Sequence, residues 1–149
     1  MLLHRIKGSN RYCGPAALSS IIGNSTDEAS SILRMITGRR AIRGVPAMFM
    51  EEALGLVGYK VESIKPFPST LWRLVESIHG DDFAVYLVLL RHHYIVLDGL
   101  CMVADSGAMY SRMPKPYPGR DDPYALCRPK MVWRLTHPNV TAKYLQEAA

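Results

Sequence analysis

The chain has 149 residues, 48% of them hydrophobic and 21% charged, which suits one domain with a real core and is too short for two comfortable ones. No apolar run nears the ~20 residues of a membrane helix, and "MLLHRIKGSN" turns polar after Leu3, unlike a secretory signal, so a single cytoplasmic domain over 1–149 is expected. The formal net charge is +5, and the three cysteines, at 13, 101 and 127, are too few and too scattered for a disulfide framework or a C-x-x-C zinc site.

In chain order, the first predicted helix is "CGPAALSSIIGN". It opens at Gly14 or Pro15, because proline's fixed φ and missing N–H suit a first helical turn, and Gly23-Asn24 ends it. The second, "STDEASSILRMITG", has Ser25, Thr26 or Asp27 as cap, acids in its first turn and Gly38 as its stop. The third follows Pro46 as "AMFMEEALGLVG", with apolar residues at helical spacing. "YKVESI" then alternates like a strand, and "STLWRLVESIHG" is a fourth helix capped by Ser69 or Thr70 and closed by Gly80.

After Gly80 the character changes. "FAVYLVLL" is a continuous apolar run rich in β-formers and reads as a central strand. "HHYIVL" and "LCMVAD" flank Asp98-Gly99, a hairpin signal, so His92 and His93 begin one strand and Asp105 ends its partner. Proline and glycine make "SGAMYSRMPKPYPGRDDPY" a long surface loop, and "KMVWRL" supplies a last strand. Helices first and antiparallel strands after them predict an α+β domain with the helices segregated from the sheet.

Cys13 lies where a helix begins, and a thiol there, beside an imidazole, is shifted toward its nucleophilic thiolate. Gly14 is expected to leave room for a substrate near the sulfur, and the local amides, that of Cys13 included, are candidate donors to an oxyanion. Of the five histidines, His4 and His137 lie toward the ends of the sequence and His79 closes a helix, where an imidazole is favourable locally. His92 and His93 remain, with Asp105 as the carboxylate to orient one of them. Hairpin parity decides between them. A two-residue Asp98-Gly99 turn sets His92 opposite Asp105; a three-residue loop, with Gly99 left-handed, puts His93 on the face of Asp105.

"RYCGPAALSSI" followed by "HHYIVLDGLCMVADSG" resembles the papain-like cysteine peptidases, in particular the C39 (bacteriocin-processing) peptidases and their stand-alone relatives, over roughly residues 8 to 134. The resemblance implies a papain-like α+β fold, with N-terminal helices packed on an antiparallel sheet. It implies Cys13 as nucleophile, His93 as base and Asp105 as its orienting partner, with His92 in reserve. The function implied is hydrolysis of a peptide or isopeptide bond in a peptide or protein substrate through a thioester, with no cofactor and no metal.

Two departures stand out. Family members carry an oxyanion glutamine about six residues before the cysteine, where this chain has Lys7; its one glutamine is Gln146. Asn10 or Ser9 are the substitute donors at hand, and Asn10 together with the Cys13 amide is the candidate oxyanion hole. Asp105 is followed by Ser106-Gly107 instead of the commoner proline. Two other functions stay open: an inactive peptide-binding domain, favoured by the missing glutamine, and a thiol acyltransferase resembling phytochelatin synthase. Nucleic-acid binding ranks last. The basic residues form two short clusters, "GRRAIR" at 38–43 and "CRPKMVWR" at 127–134, that match no nucleic-acid motif and read as a solvated face. Cys101 reads as a core thiol of its strand, and Cys127 carries no assignment.

Overall fold

Four helices precede or interleave with six strands in the computed structural model, which describes residues 3–8, 12–64, 70–99, 102–105, 108–111 and 126–138, by backbone alone at 102 and 108–111. The order is α1 (Cys13–Ile22), α2 (Thr26–Thr37), α3 (Ala47–Leu56), β1 (Lys60–Ser63), α4 (Leu71–Ile78), β2 (Val85–Leu90), β3 (His93–Asp98), β4 (Met102–Asp105), β5 (Ala108–Ser111) and β6 (Met131–Thr136). The strands make one antiparallel sheet in the order β1-β6-β2-β3-β4-β5.

The helix ends follow the chemistry of their sequences. Ser25 caps α2 by accepting from the Glu28 amide at 3.1 Å, Asp27 and Glu28 sit in its first turn, and Gly38 closes it in a left-handed conformation. Helix α1 is buried from Gly14 to Ile21 and packs against β3 and β4, which makes it the central helix. Thr70, the residue before α4, makes no side-chain capping bond.

The sheet has helices on both faces, which corrects the expected segregation. Val85, Leu87, Tyr94, Val96, Trp133 and Leu135 share a buried cluster with α1, α2 and α3. Tyr86, Val88, Leu90, Ile95, Leu97 and Val132 share a second with Leu71, Leu74, Val75 and Ile78 of α4. Strand residues alternate between the two clusters, so a strand covered on both sides must be apolar throughout. That is why "VYLVLL" shows no alternation.

Two further expectations need correction. Ala108–Ser111, assigned to a loop, forms β5 and pairs with β4 from Met102↔Ser111 to Asp105↔Ala108. His92 does not begin a strand: Leu90 pairs with His93, so Arg91-His92 is a two-residue turn, with His92 left-handed at φ 59°. At the sheet's other end Asp81 accepts from the Tyr86 hydroxyl at 2.5 Å and from Arg134 Nε at 3.0 Å. Gly99 packs directly on the Asp81 backbone, where any Cβ would overlap the Asp81 carbonyl. Among the described residues no helix is long and apolar enough to cross a membrane.

Candidate active site

Cys13 is the first residue of α1, one position ahead of Gly14 and two ahead of Pro15, where the sequence suggested the helix opens. The N–H groups of a first helical turn have no intrahelical acceptor, and Pro15 removes one that would otherwise need a partner. Tyr12, the N-cap, makes no side-chain capping bond, and no acid occupies the first turn. The positive end of the helix therefore bears on the Cys13 sulfur without a competing carboxylate on α1. The side chain is half-buried rather than sealed.

Register then assembles the partners. Strands β3 and β4 pair at Val96↔Ala104 and Leu97↔Val103, which puts His93 and Asp105 on the same face near one end of the sheet. The intervening loop has odd parity, but Gly99 is not left-handed, so the expected glycine bulge is not the means. His93 Nε2 lies 2.5 Å from Asp105 Oδ1. The ring also hydrogen-bonds the Cys13 thiol, and with Nε2 committed to the carboxylate the remaining nitrogen is Nδ1.

These contacts act in opposition on the sulfur. Burial pushes the Cys13 thiol up; the His93 hydrogen bond, the Tyr94 amide, the imidazolium charge and its own amide together pull it below the ordinary value. His93 is pushed up to about 9, first by its hydrogen bond to Asp105 and then by that to Cys13, against the effect of burial. A lowered thiol beside a raised imidazole shifts the pair toward thiolate and imidazolium.

A cleft of about 210 Å³ opens onto the sulfur. Residues 44–47 line one side, Leu89, Leu90, His92 and Tyr94 another, and Lys130 completes the wall. The Tyr94 hydroxyl donates to the Val45 carbonyl at 2.7 Å and ties the two sides together. Gly14 does not open this space, contrary to expectation. It is buried, and a Cβ there would meet Val45 Cγ2 at 3.2 Å, so the glycine serves close packing of the wall.

Cys13, His93 and Asp105 are thus brought together, whereas His92 sits exposed on the hairpin turn and lines the cleft. Asn10, Ser9, Gln146 and Cys101 lie outside the described residues. Cys127 is exposed. Sequence reading missed Tyr94, whose amide reaches the sulfur and whose hydroxyl holds the cleft wall; its place directly after His93 was the available signal. It also missed Lys130. Among the described residues no cluster of three His, Cys, Asp or Glu side chains is disposed to hold a metal ion.

No protein-family profile matches the chain, and no curated protein sequence matches it. A solved structure does. The peptidase domain of Streptococcus ComA, a bi-functional ABC transporter involved in a quorum-sensing pathway, is similar with a TM-score of 0.55 at 16% identity. The match covers 92% of this chain and 99% of that domain. The chain has the papain-like fold that its sequence resemblance implied, in agreement over nearly its whole length with a peptidase domain.

Proposed function

We propose that the protein is a papain-like cysteine peptidase, with Cys13 as nucleophile, His93 as general acid and base, and Asp105 as the group that orients and charges the imidazole. The single observation that carries this reading is the continuous contact Asp105–His93–Cys13 at the open end of a helix. In the proposed reaction the Cys13 thiolate attacks the carbonyl carbon of a peptide or isopeptide bond. The carbonyl oxygen takes up the negative charge and is stabilised by amides at the start of α1, that of Cys13 first, with Asn10 as the side-chain candidate. His93 delivers its proton to the leaving amine as the C–N bond breaks, leaving a Cys13 thioester. His93 then takes a proton from water, the hydroxide adds to the thioester carbonyl, and the thiolate is expelled beside the imidazolium while the carboxylic acid product leaves and loses its proton to solvent.

The absence of a glutamine ahead of Cys13 does not by itself make the domain a passive binder. A pure peptide binder gains nothing from a charged imidazole held against a half-buried thiol, and that pair costs desolvation. Transfer of the acyl group to an amine instead of water would use the same three residues; product analysis with an added amine separates the two.

The test is the pH dependence of Cys13 alkylation by iodoacetamide, measured by intact mass and peptide mapping. The expected apparent pKa lies below the free-thiol value of ~8.5, and His93→Ala moves it to that value or above. An apparent pKa near ~8.5 in the parent protein, unchanged by His93→Ala, refutes the reading.

A further inference from the structure

Of the two basic clusters that read as a solvated face in the sequence, the second reaches the Cys13 cleft through Lys130 and the first ends beside it, next to Gly44, whereas Arg134 of the second pairs with Asp81 at the sheet's other end. Lys130 lines the cleft directly, fixed beside the hairpin by a 2.8 Å bond from its amide to the Leu89 carbonyl. Arg43 directly precedes the lining residue Gly44, Arg91 lies between the lining residues Leu90 and His92, and Arg128 is two positions before Lys130. All four cations are exposed. The segments that build the walls, 38–47, 89–94 and 126–131, contain no aspartate or glutamate. Among the described residues none of these four cations is in an ion pair. Two acids bear on the site: Glu51 accepts from the Trp133 indole at 2.6 Å and still acts on Tyr94 as a negative charge, and Asp105 holds His93.

A cation on the wall of a small, mostly apolar cleft, with three more in the segments that adjoin it, raises the local concentration of an oppositely charged ligand and selects against a like-charged one. We propose that the cleft takes a peptide segment bearing an acidic residue next to the bond presented to Cys13, a substrate class that rests on the peptidase reading above. The apolar lining (Val45, Pro46, Leu89, Leu90 and Tyr94) accommodates a small or aliphatic side chain, and Lys130, with Arg91 on the adjoining turn, meets the carboxylate beside it. An acidic peptide fits better than a nucleic acid because the cleft is small and mostly apolar, and the Tyr94 ring that lines it is held by its hydroxyl to Val45.

The experiment measures second-order rate constants for alkylation of Cys13 by peptidyl chloromethyl ketones. The peptides are identical except for Glu, Gln or Lys, scanned over the positions preceding the electrophile. At low salt the best Glu peptide is expected to react about 3–10-fold faster than its Gln counterpart, and the Lys peptide slower, with the preference shrinking as salt rises. Lys130→Glu combined with Arg91→Glu inverts the Glu/Lys order, whereas Arg73→Glu on α4 of the opposite sheet face leaves it intact. The salt dependence of the parent protein carries the test even if the double variant folds poorly. A Glu/Gln ratio of one at low salt, with the Cys13 pKa still depressed, overturns this inference and leaves the peptidase reading standing. An undepressed pKa sinks both. Protection of Cys13 from iodoacetamide by a single-stranded oligonucleotide, with no protection by an acidic peptide, also overturns it in favour of a nucleic-acid surface.

Discussion

Replacing Asp105 by Asn keeps the size of the side chain and removes the charge that holds His93. The rise of the imidazole from 6.5 to about 9 is a gap of about 2.5 pH units, on the order of 3 kcal/mol of preference for the imidazolium. The Asp105 hydrogen bond is its largest cause and the Cys13 bond the second. With both partners well shielded, at 24% and 17% exposure, solvent screening removes only part of the effect. If Asp105 supplies half or more of the gap, Asp105→Asn lowers the His93 midpoint by roughly 1–2 units. The assay is an NMR titration of ring carbon-bound protons across the five histidines, with His93 identified by its loss in His93→Gln. Linkage gives a second readout. Because His93 has a higher pKa folded than unfolded, its stabilisation is fully present below 6.5 and is lost as pH rises through about 9. The urea-unfolding gap between parent and Asp105→Asn should therefore be widest near pH 6 and narrow steadily toward pH 9. A His93 midpoint near 6.5 in the parent, or one that stays near 9 in Asp105→Asn, refutes the argument.

Tyr94→Phe removes the hydroxyl that donates to Val45 at 2.7 Å, and urea unfolding should show a loss of about 1 kcal/mol. Iodoacetamide alkylation should retain its depressed pKa in that variant, because the amide that reaches the sulfur is unchanged. His92 is a non-glycine residue at φ 59°, so His92→Gly should relieve about 1 kcal/mol of backbone strain, offset in part by glycine's greater chain entropy. A thermal-unfolding midpoint that drops by several degrees would show that the imidazole has a packing role on the turn.

Most of the framework was legible because local chemistry and tertiary need coincide. Ser25, Gly38 and the Gly23-Asn24 stop mark helix ends through backbone hydrogen bonds that depend only on near neighbours. What escaped detection depends on distant neighbours or carries no punctuation. The amphipathic pattern of "LWRLVESI" tells which side of α4 is apolar, but not which face of the sheet it covers. "LRHH" contains no glycine, asparagine or proline, so the tight turn at Arg91-His92 gave no turn signal. Four residues, "AMYS", are too short to stand out from the prolines after them, and β4 supplies the pairing that makes them a strand. Which of His92 and His93 shares a face with Asp105 turned on the parity of one loop. Sequence offers two answers there, and the Val96↔Ala104 pairing gives one.

The site depends on a balance that sequence motifs do not express. Burial is the largest single influence on the Cys13 thiol, and it acts against ionisation; the depressed pKa exists only because several donors act together in the other direction. The consequence is asymmetric. Taking away His93 removes a hydrogen bond and a positive charge at once, and leaves burial opposed by the amides of Tyr94 and Cys13 itself and by the positive end of α1. The thiol should then end above the ordinary value instead of merely returning to it, and become less reactive than an exposed cysteine such as Cys127 in the same chain. Cys127 is thus an internal standard. In the parent at pH 7, Cys13 should outpace it toward iodoacetamide, and in His93→Ala the order should reverse. A variant in which Cys13 stays the faster of the two would mean that the helix terminus and the amides suffice, and that the imidazole is not what ionises the sulfur.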